Sequence, residues 1–228
     1  MLGNIFILGD SYSTFEGYIP QECIAYYTTQ GPGYLRDGSG LQPCDDDVCD
    51  VTQTWWYSLA KENGNLLENC SFSGTTICNT GYNGIDASNI SFIGRLNKLI
   101  SEGYFKKNKV DTFFLFGGTN DSWAGSPIGV GMDSGWEADD LYNVLPAFGY
   151  IINRIINTLP DTKLYFILNT DLKDEIEKYY TQTCEKNGVD VIKLHDIEKI
   201  SGHPTIKGMA QIKEQVMEYI NSVTPNVR

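Results

Sequence analysis

Ile5-Phe6-Ile7-Leu8-Gly9-Asp10-Ser11-Tyr12-Ser13 begins with four apolar residues that run straight into Gly-Asp-Ser. A short continuous apolar run reads as a strand buried on both faces. In an open parallel sheet, ligands and chemistry sit at the carboxyl ends of the strands. Ser11 is therefore expected at the tip of the first strand, at the mouth of a cleft. The competing reading is that Asp10 and Ser11 only cap a following helix. The rest of the chain decides between the two.

Outward from this stretch the same pattern recurs. Leu66 to Cys70 reads as a second strand and runs into the small-residue turn Ser71-Phe72-Ser73-Gly74-Thr75-Thr76. Val110 to Phe116 is the strongest strand and ends in Gly117-Gly118-Thr119-Asn120-Asp121. Thr162 to Leu168 and Val189 to Leu194 read as the fourth and fifth strands. Helical spacing fills the intervals. Residues 54–64 form a helix capped by Thr52 or Thr54 and ended by Gly64, with Trp56, Leu59 and Ala60 on one face. Residues 91–102 carry the stripe Phe92, Leu96, Leu99 and Ile100, stopped by Gly103. Asp139 and Asp140 open a long helix running to Ile156, in which Pro146 marks either a kink or the true start. Residues 172–187 and 206–223 complete the set. Pro204 suits the first turn of the last helix and pushes His203 to an extended backbone. Strand and helix alternate five times, which predicts a three-layer α/β/α fold with a parallel sheet and right-handed crossovers.

The bulk numbers narrow the function. A chain of 228 residues, 41% hydrophobic, supports one sizeable core, and a single domain over 1–228 is expected. Two long loops, at about 14–54 and 122–138, interrupt it; loops of this length are usually functional. Tyr18, Tyr26, Tyr27, Tyr34 and Leu35 form either one wall of a cleft or the first loop's own small core. A net charge of −12 provides no basic footprint for nucleic acid and would be repelled by anionic membranes. No run of about 18 apolar residues is present, so no spanning segment is expected. The first residues lack a signal-peptide pattern. The expected location is cytoplasmic, or secreted or periplasmic with a leader already removed. Six cysteines lack paired zinc-site spacing. Cys44 and Cys49 flank Asp45-Asp46-Asp47-Val48, a segment open to a disulfide or a calcium site, with a plain acidic loop the favoured reading.

Four polar clusters thus fall at expected strand ends: Ser11, Gly74, Asn120 and His203. A parallel sheet brings those ends to one edge. Together these residue types can perform acyl transfer: a serine attacks, a histidine takes its proton, and N–H groups hold the oxyanion. The sequence resembles the SGNH hydrolase superfamily, the GDSL esterases and lipases. Gly9-Asp10-Ser11-Tyr12-Ser13 resembles its first block, Ser73-Gly74 the second, Gly118-Thr119-Asn120-Asp121 the third, and His203-Pro204 with Gly208 the last. The four blocks occur in order across nearly the whole chain. The resemblance implies a flavodoxin-like five-stranded sheet of order 2-1-3-4-5, with no metal or organic cofactor. It implies Ser11 as nucleophile and His203 as general base. It also implies an oxyanion hole from the Ser11 and Gly74 N–H groups and the Asn120 amide.

One position departs from the family pattern. Where an aspartate usually precedes the histidine by three residues, this chain has Ile200. Loss of the orienting carboxylate costs serine proteases on the order of ten-thousand-fold in turnover. The favoured replacement is a main-chain carbonyl of Ile200 or Ser201 accepting from His203, followed by Asp196 or Glu198 reaching in, or simply a slow enzyme. His195 is read as structural, Asp10 and Asp121 as hydrogen-bonding supports, and Trp55 and Trp56 as core. Trp123 and Trp136, in loops near Asn120, are the candidates for stacking on substrate. The expected activity is hydrolysis of small acyl esters, with acetylated carbohydrate as one substrate class. A lipase, lysophospholipase or thioesterase on the same site is the alternative, as is a catalytically decayed carbohydrate-binding module. A flavin or nucleotide binder is disfavoured, because the first loop lacks a phosphate-cradling glycine pattern.

Overall fold

The computed structural model describes residues 1–32 and 47–223. The readings that involve Tyr34, Leu35, Cys44, Asp45 and Asp46 lie outside the described residues.

Five parallel strands make the central sheet: β1 (Gly3–Gly9), β4 (Gly64–Ser71), β5 (Thr112–Phe116), β6 (Lys163–Leu168) and β7 (Asp190–Lys193). Their order is β4-β1-β5-β6-β7, which is the expected 2-1-3-4-5. Alternate residues of each strand serve opposite layers, as the two-residue side-chain period requires. Phe6, Leu8, Phe113, Leu115 and Phe166 face one core, shared with α2 (Phe92–Ser101), α5 (Val144–Thr158) and α6 (Asp174–Lys186). Ile5, Ile7, Phe114, Phe116, Tyr165 and Ile167 face the other, closed by α1 (Trp55–Asn63) and α7 (Ile206–Val223). Trp55 and Trp56 are fully buried there, as read from the sequence. Truncating such an aromatic to alanine costs about 3–5 kcal/mol.

Helix boundaries follow local chemistry. The Ser91 hydroxyl accepts from the N–H of Gly94 and starts α2. After α2 the chain turns through Gly103, at φ +71°, into the short α3 (Tyr104–Lys107). The segment opened by Asp139 and Asp140 is a 3-10 turn, Ala138–Tyr142, and α5 begins only at Val144. Pro146 therefore sits in the first turn of α5, where its missing N–H removes no helical bond. Pro204, in contrast, is not in a helix. It lies in β9 (His203–Pro204), which pairs antiparallel with β8 (Lys199–Ile200), and the Thr205 hydroxyl accepts from the N–H of Gly208 to start α7. The first long loop contains a second small hairpin, β2 (Tyr27–Thr28) with β3 (Gly31–Pro32). The second long loop leads out of the short α4 (Thr119–Trp123). Among the described residues no helix is long and apolar enough to cross a membrane.

Register levels the site. Gly9 pairs with Ser71 on one side and Phe116 on the other, so three strands end side by side.

Candidate active site

Ser11 starts a 3-10 turn, Ser11–Ser13, directly off β1. The Asp10 carboxylate caps that turn, its Oδ1 accepting from the N–H of Tyr12 at 3.1 Å. Thr14 closes it, its hydroxyl donating to the Ser11 carbonyl at 2.9 Å. Close packing explains Gly9: a Cβ there would fall 2.6 Å from the Ser71 hydroxyl and 2.8 Å from Ser13. The Trp55 indole N–H donates to the Ser13 hydroxyl at 3.2 Å, and the Asn69 amide to the Ser13 carbonyl at 2.7 Å. The turn that presents Ser11 is thereby tied to α1 and β4.

Buried polar groups lock the neighbouring strand ends to it. The Arg95 guanidinium, inside the protein, donates to the carbonyls of Ile90, Cys70 and Gly9 and to the Thr75 hydroxyl. It lies over the Phe92 ring at 4.6 Å. Asp121 accepts from the N–H groups of Ile77 and Cys78 at 2.8 and 3.0 Å, the supporting role read from the sequence. Asn120 donates from Nδ2 to the Thr75 carbonyl at 3.0 Å, while its Oδ1 accepts from the Tyr82 hydroxyl at 2.9 Å. Gly74 lies in the turn after β4 at φ +76°, a left-handed conformation that favours glycine. Arg95 thus bonds both the Gly9 carbonyl, two residues before Ser11, and the hydroxyl of Thr75, the residue after Gly74, whose carbonyl in turn takes Asn120.

His203 arrives on the β8–β9 hairpin. Its two-residue turn, Ser201-Gly202, has φ +49° and +80°, the positive pair that tight hairpins require. The Nε2 atom lies 3.0 Å from the Ser11 hydroxyl, and Nδ1 lies 3.3 Å from the Ser201 carbonyl. With Nδ1 protonated and donating to that carbonyl, Nε2 is left to accept from Ser11. Of the expected orienters only the Ser201 carbonyl faces the imidazole. Ile200 pairs with His203 in the ladder. Asp196 is exposed and accepts from His195 at 3.1 Å, and Glu198 binds Thr205 and Lys207.

Aromatic residues hold the hairpin. Tyr26 stacks flat on His203, centroids 3.7 Å apart and planes at 9°. Tyr12 donates its hydroxyl to the Gly202 carbonyl and Tyr27 donates to the Pro204 carbonyl at 2.9 Å, so His203 is pinned on both sides. Trp123, 44% exposed, meets the imidazole edge-on at 6.3 Å. Of the two tryptophans expected to stack on substrate, Trp123 is the one beside His203, whereas Trp136 packs edge-on against Tyr150 of α5 at 5.8 Å. Its indole has an apolar neighbour to cover, and the Gly-rich loop is long enough to fold it back onto α5.

Burial pushes the His203 imidazole down to about 4; the Lys199 charge pushes the same way, and the Ser201 carbonyl opposes it. Lys199 itself binds Thr170 and Asp171 and lies over the Tyr12 ring at 5.7 Å. Asp10 is raised to about 7, first by burial, with Arg95 and the Tyr12 N–H opposing. Its Oδ2 is buried without a hydrogen-bond partner among the described residues.

Sequence reasoning gave no role to Arg95, Tyr82 or Lys199. Arg95 did leave a signal, because it stands three residues after Phe92, on the apolar face of α2. Tyr82 left none, since it sits in a loop of ordinary polar composition.

Comparison with known proteins is consistent with this geometry. The GDSL-like lipase/acylhydrolase family profile matches residues 3–220. A solved structure described as a GDSL-like lipase from Bacteroides ovatus is 44% identical, with 98% of this chain and 100% of that one covered, at a TM-score of 0.86. Another, from Bacteroides uniformis, is 38% identical over 97% and 96%, at 0.84. An acetyl xylan esterase from Butyrivibrio proteoclasticus, 16% identical over 96% and 63% at 0.57, shares the fold. No curated protein matches the chain. The match over residues 3–220 and the two close full-length likenesses show that this chain belongs to the GDSL-like lipase/acylhydrolase family.

Proposed function

We propose that the protein is a serine esterase acting on small acyl esters through a Ser11–His203 dyad. The observation that carries this reading is the 3.0 Å approach of His203 Nε2 to the Ser11 hydroxyl, with Nδ1 turned to the Ser201 carbonyl. In the proposed reaction His203 takes the Ser11 proton as the oxygen attacks the ester carbonyl. The N–H groups of Ser11 and Gly74 and the Asn120 amide receive the developing oxyanion. Collapse forms the acyl-enzyme, and His203 gives its proton to the departing alcohol. Water, deprotonated by His203, then attacks the acyl group; Ser11 leaves with the proton, and the carboxylic acid is released.

Acetylated carbohydrate is the favoured substrate class. Support comes from Trp123, exposed beside His203, and from the exposed ring of Tyr82 beside Asn120, surfaces on which a sugar can stack. The shared fold of the acetyl xylan esterase is in keeping with it. A longer acyl chain is the second reading. Ile24 favours it: the residue is 57% exposed, and its carbonyl accepts from Ser73, next to Gly74. The test is hydrolysis of p-nitrophenyl acetate and p-nitrophenyl octanoate by wild type, Ser11→Ala and His203→Ala. Acetate turnover lost in both variants is expected. Octanoate preference would move the assignment to lipid esters, and turnover undiminished in Ser11→Ala would refute the dyad.

A further inference from the structure

We infer that Tyr82 is a positioning residue for the Asn120 amide, an inference that rests on the oxyanion role proposed for Asn120. The Asn120 side chain is held at both ends. Its Nδ2 donates to the Thr75 carbonyl at 3.0 Å, and its Oδ1 accepts from the Tyr82 hydroxyl at 2.9 Å. One Nδ2 proton is thereby spent on Thr75, leaving the second for an oxyanion. A flipped amide would set Oδ1 against the Thr75 carbonyl, two acceptors face to face. The Tyr82 hydroxyl adds to this by drawing electron density toward Oδ1, which makes the remaining N–H a stronger donor.

The loop that carries Tyr82 is built to hold it still. Thr80 bridges Asp86, the N–H of Gly81 donates to the Ile85 carbonyl at 2.9 Å, and Asn83 turns the chain at φ +59°. The Thr80 hydroxyl donates to the Tyr142 carbonyl at 2.7 Å, and Ser126 donates to the Thr80 carbonyl at 2.8 Å. Tyr82 remains 38% exposed, while its hydroxyl is turned to Asn120.

The test is a double-mutant cycle on p-nitrophenyl acetate with Tyr82→Phe, Asn120→Ala and the pair. Tyr82→Phe keeps the ring and removes one hydrogen bond, so kcat should fall roughly two- to tenfold with KM unchanged. In the Asn120→Ala background the same change should do nothing further. An equal loss in both backgrounds, or a loss confined to KM, would overturn the inference and make Tyr82 a substrate-contact or structural residue. A second measurement needs no turnover. The Asn120 side-chain amide signals, identified in a ¹⁵N spectrum by their absence in Asn120→Ala, should shift in Tyr82→Phe; unshifted signals would also overturn it. Full activity in Ser11→Ala would instead overturn the esterase reading, and the amide signals separate that failure from this one.

Discussion

The acid limb of the pH–rate profile tests the dyad most directly. A carboxylate beside a catalytic histidine stabilises the imidazolium and raises its pKa. Here the imidazole faces a neutral carbonyl, and burial, helped by the Lys199 charge, brings it down to about 4. At pH 5.5 such a base is about 97% neutral, against about 9% for an unperturbed histidine, a roughly tenfold contrast in active fraction. The assay is kcat/KM for p-nitrophenyl acetate from pH 3.5 to 9, read after quenching. The expected profile is nearly flat from pH 8 to 5 and falls to half near pH 4. Lys199→Met, which removes the cation, should move the limb upward. The raised carboxyl of Asp10 also titrates in the window, near 7, so Asp10→Asn is run alongside; a limb near 7 that disappears there belongs to Asp10. A limb at 6.5 or above that persists in Asp10→Asn would refute the reasoning, because it would mean that burial and Lys199 do not depress the His203 imidazole. The sign for stability is the same. Between about 4 and 6.5 the unfolded chain binds the His203 proton and the native one does not. The contribution is therefore present above 6.5 and lost as pH falls.

Three further outcomes follow from the same geometry. Asp10→Asn keeps an acceptor for the Tyr12 N–H and removes a buried carboxyl raised to about 7. The wild-type contribution from Asp10 is full below about pH 4 and lost as pH rises through 7, by about 4 kcal/mol at most, so urea midpoints at pH 5 and 8 should show the variant gaining on wild type at pH 8. Gly202→Ala puts a Cβ at φ +80° and 2.9 Å from the Trp123 ring; strain of about 1–2 kcal/mol should lower the melting temperature by a few degrees and kcat/KM by a larger factor, measured on one preparation. Tyr26→Phe should retain near-wild-type kcat, whereas Tyr26→Ala, losing a stack worth about 0.5–1.5 kcal/mol, should lose kcat roughly two- to tenfold at unchanged KM; equal kcat in both would mean the stack does not orient the ring.

The fold was legible because its central strands are buried on both faces and its crossovers regular. Ile5 to Leu8 and Val110 to Phe116 have no helical period, and both end in a glycine that breaks the run. Strand order came from the resemblance, since pattern alone does not say which strand lies beside which. The site was legible where a motif residue sits at a strand tip, as Ser11, Gly74 and Asn120 do. It was illegible where position depends on a two-residue ladder. Lys199-Ile200 is too short for alternation to register, so Pro204 was placed in a helix that the Thr205 cap in fact starts. Trp136 shows the limit of proximity in sequence. It follows Asn120 by sixteen residues, and the loop between folds away onto α5.

The position occupied by Ile200 explains how a histidine can be oriented without a carboxylate. A carboxylate does two things: it fixes the ring, and it offsets the charge that develops on it. The hairpin supplies the first by other means. Its turn sets the Ser201 carbonyl against Nδ1, two tyrosine hydroxyls hold the carbonyls of Gly202 and Pro204, and Tyr26 lies flat on the ring. It does not supply the second, and Lys199 nearby works against it. On the proposed mechanism the imidazolium is therefore costly, and most so when the leaving alcohol needs the proton early. The dyad should favour activated esters over alkyl esters by a wider margin than a carboxylate triad does. Comparing kcat/KM for p-nitrophenyl acetate with that for an acetylated sugar separates the cases. If the sugar ester is the better substrate, its bound sugar must itself supply what the missing carboxylate would have given.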